Sequence, residues 1–222
     1  MKRSEINSLI VSSIEFLDKM NFSLPPWAFR KPEDWKGQYL NCSQIIDNML
    51  GWNLTDFGSG EFHKSGLIIF TIRNGNKKDK KPYSEKVLII EELQVTPMHF
   101  HWGKMEDIVN RGGGNLVIDL YNSDKEEQFS SEPVLVAIDG IFQTVKPGGS
   151  IILTPGESIC LEHNVYHRFY GEKNKGKVLV GEVSAAHDDA SDNHFIEPTG
   201  PFTIVEDEKP VHLLVSDYLK YI

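Results

Sequence analysis

Cysteine, positive charge and long apolar runs are all scarce in this chain. Cys42 and Cys160 are its only cysteines, too few for a disulfide scaffold, so both are expected as thiols in a reducing compartment. Lys and Arg number 23 against 32 Asp and Glu, a formal net charge of −9. Such a surface does not attract phosphate backbones or anionic lipid, which argues against nucleic-acid and membrane partners. No uncharged stretch approaches the roughly 20 apolar residues of a membrane helix. The hydrophobic stretch near the start, MKRSEINSLIVSSIEFLDKM, is interrupted by Glu5, Glu15 and Asp18, as a signal-peptide core is not. A cytoplasmic protein is therefore expected. Its 222 residues, 40 % apolar and 25 % charged, have an ordinary globular balance and suit a single domain.

Helical signals are confined to the first part of the chain. Ile6, Leu9, Ile10, Ile14 and Leu17 share one face of a helix over 4–20, with Ser4 as its N-cap. LPPWAF (24–29) stops it, because proline lacks the N–H and fixes φ. Pro32-Glu33-Asp34-Trp35 suits a short helical turn with Pro first. A second helix is expected from about Ser43 to Leu50, with Gly51 as its stop. Residues 1–65 thus read as a helical N-terminal extension.

From residue 66 the pattern changes to strands, and 66–215 read as a β-barrel. GLIIFTI (66–72), KVLIIEELQV (86–95), NLVIDLY (115–121), VLVAI (134–138), IFQTV (141–145), SIILT (150–154), ESICL (157–161), VYHRFY (165–170) and KVLVGEV (177–183) are separated by turn residues. Asp139-Gly140 between two apolar runs is a hairpin signal, and Gly148-Gly149 and Pro155-Gly156 mark further turns. FTIV (202–205) and VHLLV (211–215) read as one or two more strands. Many short strands with turns between them predict a mainly β sandwich or barrel rather than βαβ units.

The chemistry concentrates in Pro97-Met98-His99-Phe100-His101 and the following Glu106. Two histidines two apart on a strand point to one face. The spacer Trp102-Gly103-Lys104-Met105 lets the chain turn and send a carboxylate back. His167 lies among strand residues further on. Borderline cations such as Mn²⁺, Fe²⁺, Co²⁺ and Zn²⁺ accept mixed imidazole–carboxylate sets. Three imidazoles and one carboxylate leave room in an octahedral shell for two substrate oxygens. His163, four residues before His167, is the competing imidazole and is expected in the turn, facing solvent.

These residues resemble the two motifs of the cupin superfamily. His99, His101, Glu106 and Gly113 match the first. Gly156, Glu162-His163-Asn164 and His167 match the second, with Glu162 in place of a proline and Asn164 in place of a glycine. Asn tolerates the left-handed backbone of such a turn. VTPMHFHWGKMEDIVNRGGGNL, PGESICL, VGEVS, DNHF, LPPWA and GWNLTDFG are similar, more narrowly, to the bacterial D-lyxose ketol-isomerases. That resemblance implies a single cupin barrel, the double-stranded β-helix or jelly roll, with a divalent metal, preferably Mn²⁺, on His99, His101, Glu106 and His167. It implies interconversion of D-lyxose with D-xylulose, and of D-mannose with D-fructose, by a homodimer. A metal-dependent cupin oxygenase, a non-catalytic sugar-binding cupin and an isomerase acting mainly on D-mannose or a sugar phosphate stand as alternatives.

Other residues have two readings each. Glu182 lies in an apolar strand, where a carboxylate is costly unless paired or functional; it is the candidate carbon base, against a structural ion pair with a buried Lys or Arg. Lys86 and Lys104 are candidates for handling the oxygen proton, against a strand-edge lysine and a solvated turn lysine. Asp188, Asp189, Asp192, Asn193 and His194 form a polar loop whose side chains suit sugar hydroxyls; Asp192 and His194 are the substrate-binding candidates. Trp102 could stack on a sugar or serve the core. Lys77, Lys78, Lys80 and Lys81 suit a soluble surface better than a phosphate clamp, since no Arg joins them. Arg111-Gly112-Gly113-Gly114 lacks the GK[ST] of a phosphate loop.

Overall fold

A computed structural model describes residues 1–76, 80–186, 191–199, 205–206 and 209–222. Lys77, Lys78, Asp188, Asp189 and most of the FTIV segment lie outside the described residues. Helix α1 spans Arg3–Lys19 and buries Ile6, Leu9, Ile10 and Leu17, the stripe the sequence predicts. It begins one residue earlier than expected, with Lys2 rather than Ser4 at the capping position and no side-chain cap. Single turns of 3-10 helix follow at Pro26–Phe29 and Pro32–Trp35, each with proline in its first turn. Helix α2 is Tyr39–Asp47, not 43–50. It ends before Met49, whose φ of 54° breaks the helical path, and Gly51 begins a strand.

The strands are β1 (Gly51–Thr55), β2 (Leu67–Arg73), β3 (Tyr83–Ile90), β4 (His99–His101), β5 (Glu106–Gly113), β6 (Leu116–Asn122), β7 (Val134–Ile138), β8 (Ile141–Val145), β9 (Gly149–Leu153), β10 (Ser158–Leu161), β11 (Val165–Gly171), β12 (Val178–Ala185) and β13 (Asn193–Phe195). One antiparallel sheet runs β1-β2-β3-β12-β5-β10-β7-β8, and a second runs β13-β4-β11-β6-β9. This is the mainly β, two-sheet barrel with N-terminal helices that the sequence predicts. Two expectations are corrected. The 1–65 segment is not wholly helical, because β1 pairs with β2 along its whole length. The VHLLV segment is not a strand: Leu214 makes an isolated bridge to Trp52, and a 3-10 turn (Val215–Asp217) and helix α3 (Tyr218–Tyr221) follow. Its apolar residues Leu213, Leu214 and Val215 are still buried, which is what their hydrophobicity demanded.

Local chemistry explains the joints. Asp139 and Gly140 both have positive φ, 48° and 80°, the type I′ turn whose twist matches a two-residue hairpin. Gly113 sits at φ 86°, where an added Cβ would collide with the Lys177 carbonyl oxygen, so the glycine of the first motif lets β5 approach the chain entering β12. Asn164 adopts φ 61° and preserves the turn of the second motif without glycine.

Strand parity sorts the side chains into two cores. The inward row between the sheets includes Leu88, Ile90, Ile108, Leu116, Ile118, Val178, Val180 and Phe169. The outward row of β1, β2, β3 and β12, with Trp52, Phe70, Val87, Ile89 and Leu179, packs under α1. Each fully buried Leu or Ile contributes about 1.5–3 kcal/mol. Arg3 and Asp217, both buried, form a bidentate pair at 2.9 Å that fastens α1 to the C-terminal turn. Along several strands the inward row changes character part-way. On β12, Val178 and Val180 give way to Glu182 and Ser184; on β3, Ile90 and Leu88 give way to Lys86 and Ser84. The barrel interior is thus apolar toward one end and ionic toward the other.

Candidate metal and sugar site

The two histidines of β4 face the barrel interior on the same side, as their spacing requires. His167 of β11 stands directly opposite His99 in the ladder. The ligand nitrogens of His99, His101 and His167 all lie within 4.8 Å of one another. Neighbouring ligands that share one ion, with bonds of about 2.1 Å, stand about 3.0–3.4 Å apart, so the three imidazoles would draw together to hold one cation.

Their hydrogen bonds orient them for it. Nδ1 of each ring lies against a backbone carbonyl: Pro97 at 2.8 Å, Asp192 at 3.2 Å and Val165 at 3.0 Å for His99, His101 and His167. A carbonyl only accepts, so Nδ1 carries the hydrogen and Nε2 presents a lone pair. Nε2 of His101 and of His167 are buried without a hydrogen-bond partner. Glu106 Oε1 stands 3.0 Å from Nε2 of His167 and 3.5 Å from Nε2 of His101. A carboxylate oxygen facing two lone pairs in a buried place is a donor set that fits a cation. Burial, then the neighbouring His167 and His101 rings, hold the His99 imidazole well below its usual value, and burial lowers His101 as well. Burial alone would raise the Glu106 carboxyl, but the Lys104 ammonium outweighs it and keeps the group well below the carboxylate range. Neutral imidazoles and an ionised carboxylate are the forms that ligate metals.

Glu106 opens β5 opposite Ser184 of β12, and Glu182 stands opposite Lys86 of β3. These registers put Lys86, Glu182 and Glu106 on one inward face of neighbouring strands. Lys104 reaches in from the preceding turn. Its Nζ is 2.6 Å from Glu106 Oε2 and 3.0 Å from Glu182 Oε1, while Lys86 Nζ is 3.4 Å from the same Glu182 oxygen. Ser184 Oγ donates to Glu182 Oε1 at 3.3 Å. All four charged residues are at most 5 % exposed. The strand-edge reading of Lys86 and the solvated-turn reading of Lys104 are therefore corrected. Glu182 does have the lysine partners of a structural ion pair, and that pair touches Glu106 beside the imidazoles.

The remaining candidates separate by parity. Asp192 is at the site's edge: its carbonyl faces His101 Nδ1, and its Oδ1 accepts the Gly103 N–H at 2.7 Å. His194 is opposite Phe100, whereas Asn193 is opposite His101 and Phe195 is opposite His99. His194 and Trp102 therefore lie on the outer face of the small sheet, away from the imidazoles. There His194 stacks on Phe100 and Trp102 Nε1 donates to Glu127 Oε1 at 2.8 Å. His163 is exposed in its turn, with Nε2 3.1 Å from the Gly103 carbonyl. Sequence reasoning passed over Phe195, which packs on His99 with ring centroids 5.3 Å apart at 28°. Its position one residue from His194 in DNHF was the available signal.

A family model described as D-lyxose isomerase matches residues 1–218. The chain belongs to the D-lyxose isomerase family. A relative from Escherichia coli O157:H7 named D-lyxose/D-mannose isomerase is 42 % identical over 228 residues, covering 100 % of both chains. A Serratia proteamaculans relative of the same name is 44 % identical over 229 residues, again covering both chains completely. Among solved structures, L-ribose isomerase of Cellulomonas parahominis with L-ribose superposes with a TM-score of 0.63 at 14 % identity, over 93 % of this chain and 98 % of that one. L-ribose isomerase of Geodermatophilus obscurus gives 0.61 at 14 %, over 90 % and 94 %. At such identities the likeness speaks for the shared barrel alone. The cluster of His99, His101 and His167 sits in the ionic half of this chain's barrel.

Proposed function

We propose that this protein is a metal-dependent aldose–ketose isomerase that interconverts D-lyxose with D-xylulose and D-mannose with D-fructose. The observation that carries the reading is the three convergent imidazoles beside a buried lysine–carboxylate chain, in a member of the D-lyxose isomerase family. Both relatives are named for D-lyxose and D-mannose. His99, His101, His167 and Glu106 would hold the cation. Manganese is the first choice, and Co²⁺, Fe²⁺ and Zn²⁺ suit the same donors. A divalent cation there supplies Lewis-acid polarisation of the sugar carbonyl and stabilises negative charge on the two reacting oxygens.

The chain's own residues carry the protons. Glu182 accepts the C2 proton of the aldose and returns it to C1, passing through a cis-enediol. Lys104 and Lys86 hold the Glu182 carboxylate in place and stabilise the charge that shifts as the hydroxyl proton moves from O2 to O1. Asp192 holds the turn after His101 at the edge of the sugar site. The working unit is a cytoplasmic homodimer acting on a small sugar.

The test is anaerobic incubation of metal-stripped protein with D-lyxose, with and without Mn²⁺, scored for D-xylulose by NMR. Mn²⁺-dependent xylulose without oxygen is expected, and it separates the isomerase from an oxygen-consuming cupin. No product while Mn²⁺ is demonstrably bound would overturn the reading. In D₂O, solvent deuterium at C1 or C2 of the recovered sugar would establish the enediol route; transfer of a C2 label to C1 with no solvent incorporation would count against it and favour a hydride shift.

A further inference from the structure

The way into the site is marked by a gradient of burial. His101, His167, Glu106, Lys104 and Glu182 are all at most 5 % exposed. His99 is only half-buried, and so are the residues beside it on the same face, Asn193 and Phe195. The reacting end of a substrate has to sit between the imidazoles and Glu182, in the closed part. The rest of a linear sugar therefore points out along the His99 side. Phe195 stands there: register sets it opposite His99, its ring stacks on the His99 ring, and Phe57 meets its other surroundings edge-on, centroids 6.0 Å apart at 61°. Phe57 itself packs against the barrel core, so the pair forms a backed apolar wall rather than a loose side chain.

We propose that Phe195 is a specificity-determining residue, its ring bounding the space for the end of the sugar remote from the reacting carbons. This rests on the proposed isomerase activity. D-lyxose and D-mannose share their configuration at C2, C3 and C4 and differ by one terminal CH–OH unit. A wall that meets that end discriminates between a pentose and a hexose, and one added carbon in a confined pocket is worth about 10-fold or more. Apolar walls press on the carbon skeleton while hydroxyls take their partners elsewhere.

The experiment compares the Mn²⁺-loaded wild type with Phe195→Ala and Phe195→Leu, measuring kcat/KM for D-lyxose and D-mannose in parallel. Calorimetric binding of the corresponding five- and six-carbon alditols to each protein gives a readout that needs no turnover. Circular dichroism confirms folding, and the leucine variant keeps an apolar contact should alanine loosen the strand. The mannose-to-lyxose ratio of kcat/KM is expected to rise at least threefold in one or both variants, with the hexitol gaining affinity relative to the pentitol. A smaller rise, a fall, or an equal loss on both sugars assigns Phe195 a merely structural role and overturns the proposal. Wild type inactive on both sugars would instead overturn the isomerase reading, and the alditol comparison would still decide the role of Phe195.

Discussion

Replacing Lys104 by methionine isolates the charge at the centre of the buried ionic chain. Methionine keeps the length and loses only the ammonium. In the metal-free protein that ammonium lies 2.6 Å from Glu106 and 3.0 Å from Glu182, with both carboxylates buried. Lys86 still faces Glu182 in the variant, but Glu106 is left with imidazole lone pairs for company. Removing one partner of a buried ion pair costs about 3–5 kcal/mol, because the remaining charge stays buried without compensation. For a chain of this size that is a fall in melting temperature of about 6–20 °C. Mn²⁺ should reverse much of it, since a cation on the imidazole–carboxylate set gives Glu106 the charge partner that Lys104 had supplied. Differential scanning calorimetry of wild type and Lys104→Met, each with and without saturating Mn²⁺, reads both effects. The gap between the proteins should shrink by at least half when the metal is present. A metal-free loss below about 1 kcal/mol, or a gap unchanged by Mn²⁺, would refute the claim that Lys104 neutralises a metal-ligating carboxylate.

Two further outcomes follow from the same geometry. Glu182→Gln should keep Mn²⁺ affinity within about threefold by calorimetry while lowering kcat about 10²–10⁴-fold; full activity would remove Glu182 from the chemistry. The metal-free protein should lose stability as pH falls below about 6.5. His99 and His101 titrate below the reference value of 6.5 when folded, so the unfolded chain binds more protons in that window. Their stabilisation is complete above 6.5 and fades as pH drops through the folded values, and Glu106 adds a further loss below its reference of 4.5. Urea midpoints at pH 7.0, 5.5 and 4.0 should decline in that order, and a midpoint that rises on acidification would contradict the sign.

Much of the barrel was legible because period-two alternation and turn residues are local signals. The facing of His99 and His101 followed from parity alone. β1 was missed since Gly51 resembles a helix stop, and β5 was missed because Asn110 and the following glycines carry little strand propensity. What sequence could not supply was register. His194 and Phe195 are equally plausible in a polar loop until β13 is paired with β4, and then a shift of one residue decides which faces the imidazoles. Lys86 and Lys104 keep a solvated reading beside the functional one in the sequence for the same reason. Their burial depends on β12 and on Glu182, nearly eighty residues or more away in sequence, where no local rule reaches.

The insertion of β12 between β3 and β5 also bears on how the protein is made. During synthesis β3, β4 and β5 emerge well before the strand that joins β3 to β5, and before His167. At about 5–20 residues per second, the interval between His101 and His167 is roughly 3–13 s. Throughout it the nascent chain displays two imidazoles, two ammonium groups and a carboxylate with no wall around them. The ionic chain can close only once β12 has been made, and a ribosome stalled before residue 178 would hold a chain with its sheet split in two.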